Sequence, residues 1–210
     1  MRRTALNLVL LSAIAAVLAC SPASDSGSGA TSRSSDDRDG YHGLLLAPLE
    51  AAPELRARDQ DGNRFDRDGR ALLFFFGYTN CPDVCPITLA DYVRVKELLG
   101  ERADEVRFAI IAVDPDRDTP EVLRDYLGHF DATFRGLRID TEEELDATKA
   151  AYGVFAGALT EVGETDHAED YLVSHTDYSF LIDPQGRLAV LFRYGTPPTD
   201  IAEDIEKLFT

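Results

Sequence analysis

Two uninterrupted apolar runs limit what this chain can fold into. Ala71–Phe76 reads Ala-Leu-Leu-Phe-Phe-Phe and stops at Gly77. Val106–Val113 reads Val-Arg-Phe-Ala-Ile-Ile-Ala-Val. A strand without a polar face must be covered on both sides, as in the parallel sheets of α/β proteins. Between the two runs Cys85, Leu89, Tyr92, Val95 and Leu99 fall near one face of a helix. Strand, helix and strand in that order close by a right-handed crossover and set the two strands parallel.

The remaining elements follow from local signals. Thr119 can cap a helix with Pro120 at its first position, and Leu123, Tyr126, Leu127 and Phe130 form its apolar face. Thr141-Glu142-Glu143-Glu144 fits a capping box and opens a helix that ends near Gly153. Leu159–Tyr171 is polar and reads as irregular. Tyr178–Ile182 and Leu188–Arg193 are strands around the turn Asp183-Pro184-Gln185-Gly186. A last helix covers about Thr199–Phe209, with Ile201, Ile205, Leu208 and Phe209 inward. Ahead of the first run, weak alternation over Pro53–Arg58 and the Asp61-Gly62 turn before Phe65 predict a small N-terminal β-hairpin. The expected fold is α/β and thioredoxin-like: a central mixed sheet flanked by helices, with that hairpin in front.

The N-terminus reads as an address. Arg2 and Arg3 precede a mostly apolar stretch, Ala5–Ala19, which is short for a bilayer span and suits a signal peptide. It ends in Val17-Leu18-Ala19-Cys20, which resembles a bacterial lipobox. The resemblance implies loss of residues 1–19 and a lipid on Cys20. Ordinary secretory cleavage and an uncleaved anchor are the alternatives, and each leaves the rest of the chain outside the cytoplasm. The expected location is the cell envelope, lipid-anchored, with the domain on the periplasmic or other extracytoplasmic side. Residues 20–42 are rich in Ser, Gly and Asp and read as a tether; 43–210 form the domain. The chain carries 21 Lys+Arg against 38 Asp+Glu, a formal charge of −17, and loses two more positive charges with residues 1–19. That balance argues against nucleic acid and requires lipid, not a basic face, for membrane attachment.

Cys81 and Cys85 flank Pro82-Asp83-Val84 where the first buried strand gives way to its helix. A helix N-terminus favours anions, so this position should lower thiol pKa and leave the sulfurs accessible. A structural disulfide is the plain alternative, but so small a loop restricts few unfolded conformations. The pair can close a disulfide or bind one soft metal ion. Two cysteines are too few for a structural zinc site, whereas copper(I) is satisfied by two or three soft ligands. His42, His129 and His167 read as exposed side chains. His175 directly precedes the strand Tyr178–Ile182, and in a thioredoxin-like sheet that loop faces the cysteine pair. Asp83, Asp114, Asp116 and Asp118 lie at the same end, either as groups that orient the ligands or as turn and helix-start residues.

Phe76-Gly-Tyr-Thr-Asn-Cys-Pro-Asp-Val-Cys-Pro86, Asp114-Pro-Asp-Arg-Asp-Thr-Pro120, Val173-Ser-His-Thr176 and Phe180-Leu-Ile-Asp-Pro-Gln-Gly186 together resemble the Sco/SenC family. The resemblance covers about Ala47–Phe209. Its members are copper-binding proteins of thioredoxin-like fold that help assemble cytochrome c oxidase. It implies one copper ion, Cu(I) or Cu(II), on Cys81, Cys85 and His175, and cytochrome c oxidase subunit II as partner. Another periplasmic copper chaperone or a thiol reductant would reload or reduce it. Phe134-Arg-Gly-Leu-Arg138 lacks the Thr-Gly that commonly follows Gly-Leu in the family. A thiol–disulfide oxidoreductase acting through Cys81 and Cys85, and an envelope copper sensor or store, are the competing functions. His175 discriminates, because a dithiol reductant does not need it. Ordinary thioredoxins resemble Trp-Cys-Gly-Pro-Cys, whereas this chain has three residues between its cysteines and no Trp.

Overall fold

The structure is a computed structural model that describes residues 40–159, 172–175 and 177–209. Cys20, the stretch before residue 40, most of the polar segment Leu159–Tyr171, and His167 lie outside the described residues. Among the described residues eight strands and four α-helices follow one another: β1 (Leu44–Ala51), β2 (Ala71–Gly77), α1 (Val84–Leu99), β3 (Val106–Ala112), α2 (Pro120–Gly128), β4 (Arg135–Leu137), α3 (Glu142–Ala151), β5 (Ala156–Leu159), β6 (Leu172–His175), β7 (Tyr178–Ile182), β8 (Arg187–Arg193) and α4 (Pro198–Lys207). Six form one mixed sheet in the order β1-β8-β7-β2-β3-β4, and β5 pairs with β6 separately.

The two apolar runs are the sheet's centre. Every residue of β2 is buried, and β2 runs parallel to β3 in register from Ala71 opposite Val106 to Gly77 opposite Ala112. Alternate β2 side chains serve opposite layers. Phe75 meets Tyr92 of α1 edge-on, with ring centroids 5.7 Å apart. Phe74 and Phe76 instead pack with Phe180 and with Tyr152, which caps the end of α3. The Tyr92 hydroxyl is buried and donates to Ser179 Oγ at 2.8 Å, so its burial leaves no donor unpaired. The caps form as the sequence predicts: Thr119 Oγ1 accepts from the Val122 amide, and Thr141 Oγ1 from the Glu144 amide.

The N-terminal hairpin is reduced to a turn closed by one bridge, Arg58 opposite Arg64. The side chain of Gln60, at that turn, donates to the Phe134 carbonyl and accepts from the Gly136 amide. The turn therefore spends its hydrogen bonds on the β4 edge. The strand that opens the domain lies earlier. β1 pairs antiparallel with β8, with a register shift between Leu45 and Glu50, where Pro48 sits. A bulged, Pro-bearing, mostly exposed strand suits a sheet edge. The β5–β6 pair is a second addition to the expected order.

A candidate metal centre at the β2–α1 junction

The cysteine pair lies where β2 ends. After Gly77 the chain turns through Tyr78-Thr79-Asn80, and Cys85 falls in the first turn of α1 on the face that buries Leu89, Tyr92, Val95 and Leu99. Gly77 is required by that approach: a Cβ there would stand 2.9 Å from Cys85 Sγ and 2.6 Å from the Phe75 ring. Both cysteines are thiols with no disulfide between them. The expected exposure is absent. Cys81 is 8 % exposed and Cys85 fully buried, because the helix face that carries Cys85 is the one turned to the sheet.

The expected fall in thiol pKa is also reversed at Cys85. A hydrogen bond with the Cys81 thiol pushes the Cys85 pKa up, burial pushes it further, and a backbone hydrogen bond at Tyr78 only partly offsets them. The helix start does not prevail because the thiol is desolvated and has a second sulfur as its neighbour. The inner thiol of the metal-free protein is therefore protonated at neutral pH.

The aspartates divide sharply. Asp118 is fully buried, and its Oδ1 accepts from both Thr79 N, at 3.0 Å, and Thr79 Oγ1, at 2.6 Å. It thereby ties the loop before Cys81 to the loop after β3. Its Oδ2 is buried with no hydrogen-bond partner among the described residues. Burial pushes the Asp118 carboxyl up to about 6; the Thr79 bonds counter this, and the Asp114 charge adds to it. Asp114 is buried and ion-paired with Arg117, whose guanidinium lies 5.8 Å from the centre of the Tyr78 ring. Asp116 is exposed on a polar cleft of about 620 Å³ that extends to α3. Asp83 is exposed at the start of α1 and makes no capping bond there.

His175 ends β6, opposite Ala156 of β5. Because β7 runs antiparallel to β2, with Ser179 opposite Phe75, the chain just before Tyr178 lies at the same sheet end as the cysteine loop. Its side chain is outside the description. Among the described residues no group of three His, Cys, Asp or Glu is arranged to hold a metal. Of the other histidines, His129 is exposed at the end of α2. His42 is exposed as well, though its Nε2 is 2.9 Å from Glu203 Oε2 and its backbone amide donates to Asp204. Thr79, bound to Asp118, is a site neighbour that sequence reading missed, and Tyr126 carries a buried hydroxyl on α2. Thr79 carries no motif of its own, and Tyr126 reads as one more apolar position on α2.

Comparison with known proteins places these features. Residues 51–210 match the SCO1/SenC family. A putative copper-binding protein of Stutzerimonas stutzeri is 37 % identical over 150 residues, 69 % of this chain and 71 % of that one. The human mitochondrial SCO1 homolog is 33 % identical over 162 residues, 75 % of this chain and 52 % of that protein. Among solved structures, copper-bound ScoI of Bradyrhizobium japonicum superposes with a TM-score of 0.66 at 33 % identity, over 76 % of this chain and 99 % of that one. The buried dithiol at the end of the first central strand, the mixed thioredoxin-like sheet and a match across most of the chain make this protein a member of the SCO1/SenC family.

Proposed function

We propose that the domain is a copper carrier that holds one ion on the thiolates of Cys81 and Cys85 and the imidazole of His175. It delivers or prepares that copper for the binuclear copper site of cytochrome c oxidase subunit II. The observation that carries this reading is the pair of buried cysteines where β2 gives way to α1, the inner one hydrogen-bonded to the thiol of the other. A buried, protonated Cys85 is a poor attacking nucleophile, since the thiolate is the reactive form. A soft metal can displace its proton and be retained in the same place. The copper-bound ScoI relative supports the choice of metal.

The donor set fits the ion. Two thiolates suit Cu(I), and an imidazole helps the site tolerate Cu(II). Asp118 fixes Thr79, two positions before Cys81, and so restrains the ligand loop. Asp114 and Arg117 pack beside Tyr78 in the same turn. Binding must release the thiol protons, so affinity should weaken in acid. The chain's own N-terminal residues support attachment to the envelope membrane through lipid on Cys20. Replacing Cys20 by Ser should move the protein from the membrane fraction to the soluble one.

The test is copper titration of the reduced protein beside His175→Ala. Wild type should bind one equivalent tightly and show a sulfur-to-Cu(II) absorption that His175→Ala abolishes while the fold is retained. Weak binding that ignores His175, accompanied by ready disulfide exchange at Cys81 and Cys85, would replace the carrier with a dithiol reductant.

A further inference from the structure

Exposed large apolar side chains stand singly at places such as Leu44, Leu98 and Val122, which is ordinary for a protein surface. At the start of α1 they gather. Val84, Ile87, Thr88 and Asp91 recur at the three- and four-residue spacing that sets them on one side of the helix. Val84 and Thr88 line a shallow groove with Asp177, Tyr178 and Tyr194, over Phe75 and Ser179 of the sheet. Ile87 is 43 % exposed and Tyr194 45 %. The backbone fixes where Tyr194 stands: its amide donates to the Asp177 carbonyl at 3.0 Å, just past the pairing of Arg193 with Tyr178.

This patch adjoins the metal centre. Val84 lies between the two cysteines in the chain, with Pro82 and Asp83 exposed ahead of it. Cys81 is the outer sulfur and Cys85 is closed off. An ion held there passes to another protein by ligand exchange, for which the receiver's sulfur must come within bonding distance of the metal. The ion keeps its oxidation state, the receiver's thiols give up their protons, and Cys81 and Cys85 regain theirs. The surface beside Cys81 is therefore covered at the moment of transfer. Its charge is one-sided. Asp83 and Asp177 are exposed beside the groove, Asp91 stands along α1, and the described residues that line the groove include no basic side chain. Arg94, next along the helix, is taken by Glu97 at 2.7 Å. Arg193, beside Tyr194 in the chain, leaves the acids in excess.

We propose that Val84, Ile87 and Tyr194 form the centre of a docking surface for the protein that receives the copper, whose matching face is apolar in the middle and ringed by Lys or Arg. Protein interfaces place aromatic and apolar side chains inside a polar rim, and a few such anchors carry most of the binding energy. The acidic rim speeds and orients encounter with a basic partner, and the apolar centre slows its departure. The proposal rests on the carrier reading and adds to it the surface by which the receiver is recognised.

The experiment mixes the copper-loaded full chain with the reduced, metal-free soluble domain of cytochrome c oxidase subunit II. It compares wild type, the double variant Ile87→Ser/Tyr194→Ser, Asp91→Asn and a control, Leu98→Ser, exposed about three turns further along α1. Removal of copper by a small chelator needs no docking and should run at one rate in all four proteins. Transfer to the domain should be slowed roughly tenfold or more by Ile87→Ser/Tyr194→Ser, the scale of lost interface anchors. Asp91→Asn should slow it less and should make it less sensitive to salt. Leu98→Ser should match wild type. Equal transfer by wild type and the double variant would overturn the proposal and leave the carrier reading intact. So would equal slowing in Leu98→Ser, or faster loss of copper from the double variant to the chelator, since the effect would then lie in the fold or the metal site. A wild type that keeps its copper and forms no complex with the domain would overturn it as well. If wild type carries no copper, the carrier reading ends, and association of the two metal-free proteins, read by calorimetry, decides the surface by itself. A double variant that associates roughly tenfold more weakly keeps the surface, and an unchanged one ends it too.

Discussion

Asp118 and Asp204 are both fully buried carboxylates, yet they are treated in opposite ways. Asp204, on α4, accepts from the backbone amides of His42 and Gly43 at 2.8–3.0 Å and pairs with Lys207 at 2.9 Å. Both its oxygens are engaged. It fastens the chain just ahead of β1 to the last helix. Asp118 satisfies one oxygen through Thr79, and its other oxygen is buried with no hydrogen-bond partner among the described residues. Burying a charge is tolerable when it is fully paired and costly when it is not. The difference separates a carboxylate that fastens two parts of the fold from one that ties together the two loops at the cysteine end of the sheet.

The comparison breaks most readily at Asp204. Asp204→Ala removes the acceptor of the buried Gly43 amide and the part-buried His42 amide, and should cost about 2–3 kcal/mol in urea unfolding. Copper affinity of the folded protein should be unchanged, and a loss of affinity would show that the two carboxylates are not separate in role.

At the opposite pole, Gly77→Ala should push against Cys85 Sγ and the Phe75 ring. Overpacking of this kind costs about 1–3 kcal/mol. Here copper affinity should fall together with the urea midpoint, unlike Asp204→Ala.

Asp118→Asn should act in the reverse direction on stability. The folded-state pKa, raised to about 6 from the ordinary 3.8, means that the folded chain binds the extra proton within that window. Stability contributed by this group is therefore present at low pH and is lost as pH rises through about 6. At pH 7.5 the ionised, half-paired carboxylate is a standing cost. The neutral amide should raise stability by about 1 kcal/mol there and confer nothing below about pH 4. Urea curves at the two pH values check this; a destabilised variant at pH 7.5 would contradict it. Thr79→Val, which removes one donor to Asp118, should cost the least, about 0.5–1 kcal/mol, and should cost less at acid pH. Its copper off-rate measures how far the Thr79–Asp118 bond restrains the ligand loop.

The parts that sequence reading reaches are those with a strong local signal. β2 and β3 are legible because strands buried on both faces cannot carry polar residues. The α1 face from Cys85 to Leu99, and the Thr119 and Thr141 caps, are legible because helix periodicity and capping are short-range. β1 escapes because an edge strand with a proline and an exposed face has neither alternation nor an apolar run. β5 and β6 escape because four residues are too few to show a period. Gln60 reads as a turn residue, and only its long-range bonds to Phe134 and Gly136 reveal why the expected hairpin does not extend.

The site divides in the same way. Cys81 and Cys85, and the metal they suit, follow from residue types at a fixed spacing after a buried strand. Their burial and the raised pKa of Cys85 do not, because desolvation depends on what the rest of the chain lays over them. The Asp114–Asp118 loop is recognisable as a motif, but its three aspartates divide into ion-paired, buried and exposed only in three dimensions. Tyr126 is one more apolar helix position until packing shuts its hydroxyl away from water. The sequence by itself determined the parallel core and the cysteine pair at the end of its first strand, since these rest on side-chain identity and short spacings. Only the tertiary structure decided which sulfur is inner and which aspartates are buried, because those properties arise from exclusion of water by residues distant in the chain.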